Sequence, residues 1–145
     1  MEYSYKYPRP SVSVDIMIFS KLNQKIEVLL IRRKNPPFKQ LFALPGGFMD
    51  MDESLEEAAI RELKEETNID IKSLLQFGIY DKPDRDPRGR TLSVIFYAIF
   101  DKKPDNIEAG DDAQMVKWCD MNKLPELAFD HTQILKDSGV LFDII

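Results

Sequence analysis

Apolar positions along the chain change their period several times, and each change marks an element. SVSVDIMIF (residues 11–19) is dense in β-branched side chains and predicts a strand. IEVLLIRR (26–33) predicts a second, and the polar stretch 20–25 between them predicts the turn of a hairpin. NPPFKQ (35–40) carries two prolines and predicts a loop, after which LFALPGGF (41–48) predicts one short strand. Further strands are expected at SLLQFGIYD (73–81), TLSVIFYAIF (91–100) and AQMVKWCDM (113–121), the second apolar enough to be central. KPDRDPRGR (82–90) and DKKPDNIEAGDD (101–112) predict polar loops, and a closing helix is expected from about Asp130 to Ser138. Pro8 and Pro10 make residues 1–10 an extended lead-in. One domain over 1–145 follows, of α/β class: a mixed β-sheet between helices, an α/β/α sandwich.

The helix expected over residues 54–68 has a pattern that burial alone does not explain. Ser54 and Glu57 stand at capping-box spacing, and Asn68 suits the left-handed stop. At about 100° per residue, Leu55, Ala59 and Leu63 form the apolar stripe, yet Glu62 and Glu66 fall within about 40° of Leu55. Glu65 lies at the stripe's edge, while Glu56, Glu57 and Lys64 point away. Buried carboxylates must be protonated, paired or bound to metal. Arg61 is expected to satisfy one carboxylate, Glu53 or Glu65, and not three. A hard divalent cation, Mg²⁺ or Mn²⁺, takes several oxygen ligands at once. The competing reading is a solvated helix laced by pairs such as Glu57 with Arg61.

Composition narrows the chemistry. Of 145 residues 43% are hydrophobic and 31% charged, with net charge −5 and a pI near 5.0. That balance argues against a sequence-independent nucleic-acid binder, which needs a cationic face. It leaves room for an anionic substrate held through a metal. Cys119 is the only cysteine, so no internal disulfide forms, which fits a reducing cytoplasm. No apolar run reaches the roughly 20 residues of a membrane helix, and MEYSYKYPRP has no signal-peptide core. The expectation is an intracellular, unanchored protein.

Residues 47–69 resemble the Nudix box, G-x5-E-x7-R-E-U-x-E-E-x-G-U, with U a bulky apolar residue. Gly47, Glu53, Arg61, Glu62, Leu63, Glu65, Glu66 and Ile69 match; Asn68 replaces the second glycine. The resemblance implies a Nudix hydrolase acting on nucleoside diphosphates linked to another moiety. It implies metal ligation by Glu62, Glu65, Glu66 and the Gly46 carbonyl, with Glu53 and Arg61 as braces. RRKNPPFKQLFALPGGF (32–48), GIYDKPDRDPRGRTLSVIFYA (78–98) and LAFDH (127–131) resemble the ADP-ribose pyrophosphatase-like branch, from about Ser11 to about Leu135. That branch implies cleavage of ADP-ribose to AMP and ribose 5-phosphate. It also contains transcriptional regulators fused to a winged helix, often with a damaged box. Here the carboxylates are intact and the chain ends near the last Nudix helix, which favours the enzyme over a non-catalytic sensor. Relatives are commonly homodimers, and segments 1–10 or 140–145 would serve as the interface.

Candidate substrate contacts follow from residue chemistry. Arg32, Arg85, Arg88 and Arg90 can hold phosphates, and Phe38 or Tyr80 can stack on adenine. The opposing readings are a solvated loop for the arginines and plain packing for the aromatics. The catalytic base is expected among Glu108, Asp111 and Asp112, with Asp112 preferred by its distance from Trp118 and Glu65 as a rival. Asp130 is expected to cap the last helix. His131, the sole histidine, is expected to be structural or to border a ribose pocket.

Overall fold

The structure, a computed structural model, describes residues 2–110 and 112–143. Strands β1 (Ser11–Leu22) and β2 (Lys25–Arg33) form the expected hairpin. The turn is tighter than 20–25: only Asn23 and Gln24 leave the ladder, with Asn23 at φ 59. The expected strand 41–48 is two, β3 (Phe42–Ala43) and β4 (Gly46–Phe48). The break falls at Leu44-Pro45, where Pro45 has no N–H to donate. Its carbonyl instead accepts from Ile16 N at 2.8 Å. Strands β5 (Leu75–Tyr80), β6 (Thr91–Phe100) and β7 (Ala113–Asp120) complete a seven-stranded sheet.

The main strand order is β3-β2-β1-β6-β5. β4 adds to β1 and β7 to β2. β1 and β6 run parallel over ten pairs, Ser11 with Thr91 through Ser20 with Phe100; the other pairings are antiparallel. The sheet is therefore mixed. Both of its faces are covered, which is why residues 13–20 are buried without interruption.

Helix α1 (Leu55–Thr67) packs Ala58, Ala59 and Leu63 against Val14, Ile16, Ile18 and Phe96. Helix α2 (His131–Asp137) packs Ile134 and Leu135 against the alternate residues Met17, Phe19, Leu30 and Ile95. Two-residue alternation along β1 thus assigns each side chain to one layer, giving the α/β/α sandwich. Burying each such aliphatic side chain stabilises the fold by roughly 1.5–3 kcal/mol. The ends of α1 form as the sequence predicts. Ser54 and Glu57 make a reciprocal capping box, and Asn68 stops the helix at φ 66. Among the described residues no helix is long and apolar enough to cross a membrane.

Candidate active site

The stretch after the Leu44-Pro45 break runs beside α1 and builds one wall of a cavity of about 350 Å³. Gly46 is required there by close approach of backbone, and Gly47 leaves room for the Glu62 carboxylate. A Cβ on Gly46 would stand 2.1 Å from the Val14 carbonyl oxygen, and one on Gly47 would stand 2.5 Å from Glu62 Oε1. The Gly46 N–H donates to Glu66 Oε1 at 2.9 Å. Glu66 is 4% exposed, and burial pushes its carboxyl well above the usual range, with Glu62, Asp15 and Asp112 adding repulsion. Burial raises Glu62 too, against the pull of Arg61.

Arg61 does more than the sequence predicts. Its Nε and Nη2 donate to Glu53 at 2.9 and 2.6 Å, and Nη1 donates to Glu62 at 2.9 Å and Glu65 at 3.2 Å. Nη2 also reaches the Phe48 carbonyl at 3.1 Å. One guanidinium therefore serves three carboxylates, because its planar fork presents donors in several directions. Glu57 is not its partner, being held in the capping box. Glu56 does not simply point away either: it accepts from Leu74 N at 2.9 Å.

Among the described residues, no three potential ligand side chains already converge on one point. Glu62 and Glu65 both accept from Arg61, and Glu62 also lies beside Glu66. The donor set still fits a hard divalent cation. It offers carboxylate oxygens, a buried Glu66 with one protein donor, and a glycine backbone close enough to lend a carbonyl.

The facing wall comes from four separate segments. Arg85 is 3% exposed in its side chain and donates through Nε and Nη2 to Asp130 at 2.9 and 2.7 Å. This corrects the expected cap: the Asp130 carboxylate makes no bond to the α2 backbone. Arg88 grips buried Asp86 through Nε and Nη2 at 3.1 and 2.8 Å. Burial alone would raise the Asp86 carboxyl, but the Arg88 bonds outweigh it and hold it below the usual range. The Arg88 guanidinium also lies over Phe48 and Phe129, 4.9 and 5.4 Å from the ring centres. Arg33 lies 5.0 Å over Phe129. Phe129 holds φ 53, a strained backbone for a bulky residue, of the kind that gathers at functional sites. His131 Nδ1 accepts from Leu44 N at 3.0 Å, pinning the chain just before Gly46.

Asp112 lines the cavity and accepts from Asn35 Nδ2 at 3.2 Å. Glu108 does not line it; its N–H donates to the Thr67 carbonyl. Asp111, the third candidate base, lies outside the described residues, as do the last two residues of the 140–145 tail. Glu65, its side chain 39% exposed, and Glu53, bonded to Arg61, do not line the cavity.

Four expected substrate contacts do not line the cavity. Arg32 points away, with Nε on the Gln40 carbonyl; Arg33 and Ile31 line it instead, since neighbours on a strand face opposite sides. Arg90 donates to the Asp81 carbonyl at 2.6 Å. Tyr80 packs on the α2 side and donates to Asp137 at 2.6 Å. Phe38 packs edge-on against Phe129, outside the lining. Sequence reasoning missed Asp15, Arg33, Phe48, Asp86 and Phe129. Only Asp15 left a signal, as a lone carboxylate inside an apolar strand.

A glutamate-bearing helix braced by one arginine beside a glycine pair, on a mixed sheet between helices, defines the class. The chain belongs to the NUDIX domain family, whose model matches residues 9–138. It is 50% identical over 133 residues to an ADP-ribose pyrophosphatase of Methanocaldococcus jannaschii, covering 90% of this chain and 74% of that protein. It is 38% identical to the ADPR responsive transcriptional repressor NtrR of Acinetobacter baylyi, covering 91% of this chain and 54% of the repressor. The NUDIX domain of Shewanella oneidensis NrtR, solved with ADP ribose, superposes with a TM-score of 0.85 at 31% identity, over 97% of this chain and 94% of that one.

Proposed function

We propose that this protein hydrolyses the diphosphate linkage of ADP-ribose to AMP and ribose 5-phosphate, with Mg²⁺ as its ion and Mn²⁺ able to replace it. One observation carries the reading: a carboxylate wall and an arginine–aromatic wall face each other across a single cavity. A nucleoside diphosphate needs both, since its phosphates demand positive charge and its base demands a flat apolar partner.

Glu62, Glu65, Glu66 and the Gly46 carbonyl would hold the ion. When bound, it neutralises phosphate charge and makes water a competent nucleophile near neutral pH. Arg61 keeps Glu62 and Glu65 at hand, and Glu53 fixes Arg61. Asp112, which accepts from Asn35, would take the proton of the attacking water. Arg33 and Arg88 offer donors to the diphosphate, and Phe48 and Phe129 offer faces to the adenine. A homodimer in a reducing cytoplasm is the expected setting.

The test is a substrate panel with purified protein and Mg²⁺, read by chromatography, with an EDTA control. It includes ADP-ribose, NAD, ADP-glucose, diadenosine polyphosphates and 8-oxo-dGTP. EDTA-sensitive release of AMP and ribose 5-phosphate from ADP-ribose is expected. Turnover of a different compound would keep the reaction and discard the substrate. Tight ADP-ribose binding without turnover would favour the second reading, a sensor, which the repressor among the relatives motivates. The complete set Glu53, Arg61, Glu62, Glu65 and Glu66 favours hydrolysis.

A further inference from the structure

The proposed reaction leaves one buried charge without a task. Asp15 lies mid-way along β1, in the layer that faces α2, and lines the inner end of the cavity. The Ser93 hydroxyl donates to its Oδ2. Its Oδ1 stands 3.7 Å from His131 Nε2, beyond hydrogen-bond length. His131 is turned this way because Nδ1 accepts from Leu44 N, which leaves the neutral ring's proton on Nε2. The Asp15 side chain keeps 12% exposure, and across that 3.7 Å His131 is the group that faces Oδ1.

The charges around it decide what this end of the cavity can accept. Arg85, the guanidinium that faces Asp15, is engaged on two nitrogens by Asp130. With Asp15 included, two carboxylates meet one guanidinium. Such a floor repels a phosphate. It suits a neutral sugar, whose hydroxyls donate to a carboxylate and accept from a guanidinium. The outer end differs: Phe48 is 40% exposed, and it and Phe129 present ring faces there. A ligand with a flat base at one end and a hydroxyl-rich sugar at the other matches this polarity.

We propose that Asp15 accepts a hydroxyl of the distal ribose, and that the inner end of the cavity, with Arg85 as the neighbouring donor, is a subsite for a neutral polyol. The assignment rests on the reading of the substrate as a nucleoside diphosphate sugar. A polar group built to receive a hydroxyl strongly rejects an analogue that lacks it. A purely structural Asp15 would not discriminate.

The experiment compares ADP-ribose with analogues deoxygenated at each hydroxyl of the distal ribose. It measures kcat/KM with Mg²⁺, and Kd by calorimetry with Ca²⁺ in its place. Wild type is expected to prefer ADP-ribose over at least one analogue by about tenfold or more, the worth of one charge-assisted hydrogen bond. Asp15→Asn is expected to shrink that ratio toward one while leaving the analogue's own constants little changed. Ser93→Ala, which leaves Oδ1 in place, should keep the ratio. An equal loss on all ligands in Asp15→Asn would overturn the proposal, as would a wild type indifferent to every deoxygenation. If Asp15→Asn does not fold, the wild-type ratios alone decide. If nothing is hydrolysed, the reaction reading fails while the Kd ratios still judge the subsite.

Discussion

The two walls of the cavity solve the same problem, buried charge, in opposite ways. On the α1 wall Glu53, Glu62 and Glu65 share one guanidinium and Glu66 accepts only from the Gly46 N–H, so negative charge is left over. On the facing wall two carboxylates each have their own arginine: Asp130 with Arg85, Asp86 with Arg88. The first wall keeps a surplus of carboxylates around a buried Glu66. In the second the Asp130–Arg85 pair is the scaffold, holding its own charge in balance. A surplus of like charge inside a protein is costly to keep, so it points to chemistry more strongly than a neutralised pair does.

The sharpest way to break this contrast is to remove the surplus. Glu66→Gln should cut kcat by roughly a thousandfold, since an ion's charge stabilisation is worth several kcal/mol. Unfolding in EDTA should show no loss of stability, because burial already disfavours the Glu66 charge. A variant that unfolds earlier would mean that Glu66 is structural. Breaking the scaffold should do the reverse. Asp130→Ala strands a buried guanidinium and should lower stability by about 3 kcal/mol in denaturant titrations.

Smaller effects sharpen the comparison. Phe129→Ala removes the ring under Arg33 and Arg88 and should raise KM for ADP-ribose about tenfold with kcat nearly held. A fall in kcat alone would move Phe129 out of binding. Asp86 gives the pH test. Its folded pKa lies below its ordinary value, so it contributes stability that is present above about pH 4 and lost as pH falls through the folded pKa. Asp86→Asn should flatten that acid limb of the stability curve. Arg32→Ala and Arg90→Ala, outside the cavity, should stay within about 0.5 kcal/mol of wild type and within about twofold in kcat/KM. Larger losses would restore them as substrate contacts.

The sequence by itself determined the carboxylate wall, because that wall is a single helix. Its caps at Ser54 and Asn68 and the placement of Glu62 and Glu66 on the apolar side follow from spacing at a fixed rotation per residue. The near-continuous apolar runs in β1 and β6 likewise determined a sheet buried on both faces. Only the tertiary structure decided the other wall. Arg33, Phe48, Arg85 and Phe129 sit far apart in the chain and meet through strand pairing and helix docking, which no local period encodes. The choice of Arg32 over Arg33 shows the limit: a one-residue step on a strand reverses the face, and which face meets the cavity depends on what packs there. Asp130 fits a cap by position, yet a buried guanidinium 45 residues away in sequence competes for its oxygens and wins. Local geometry is set by bonds between near neighbours. Partners are set by whatever the folded chain brings within reach.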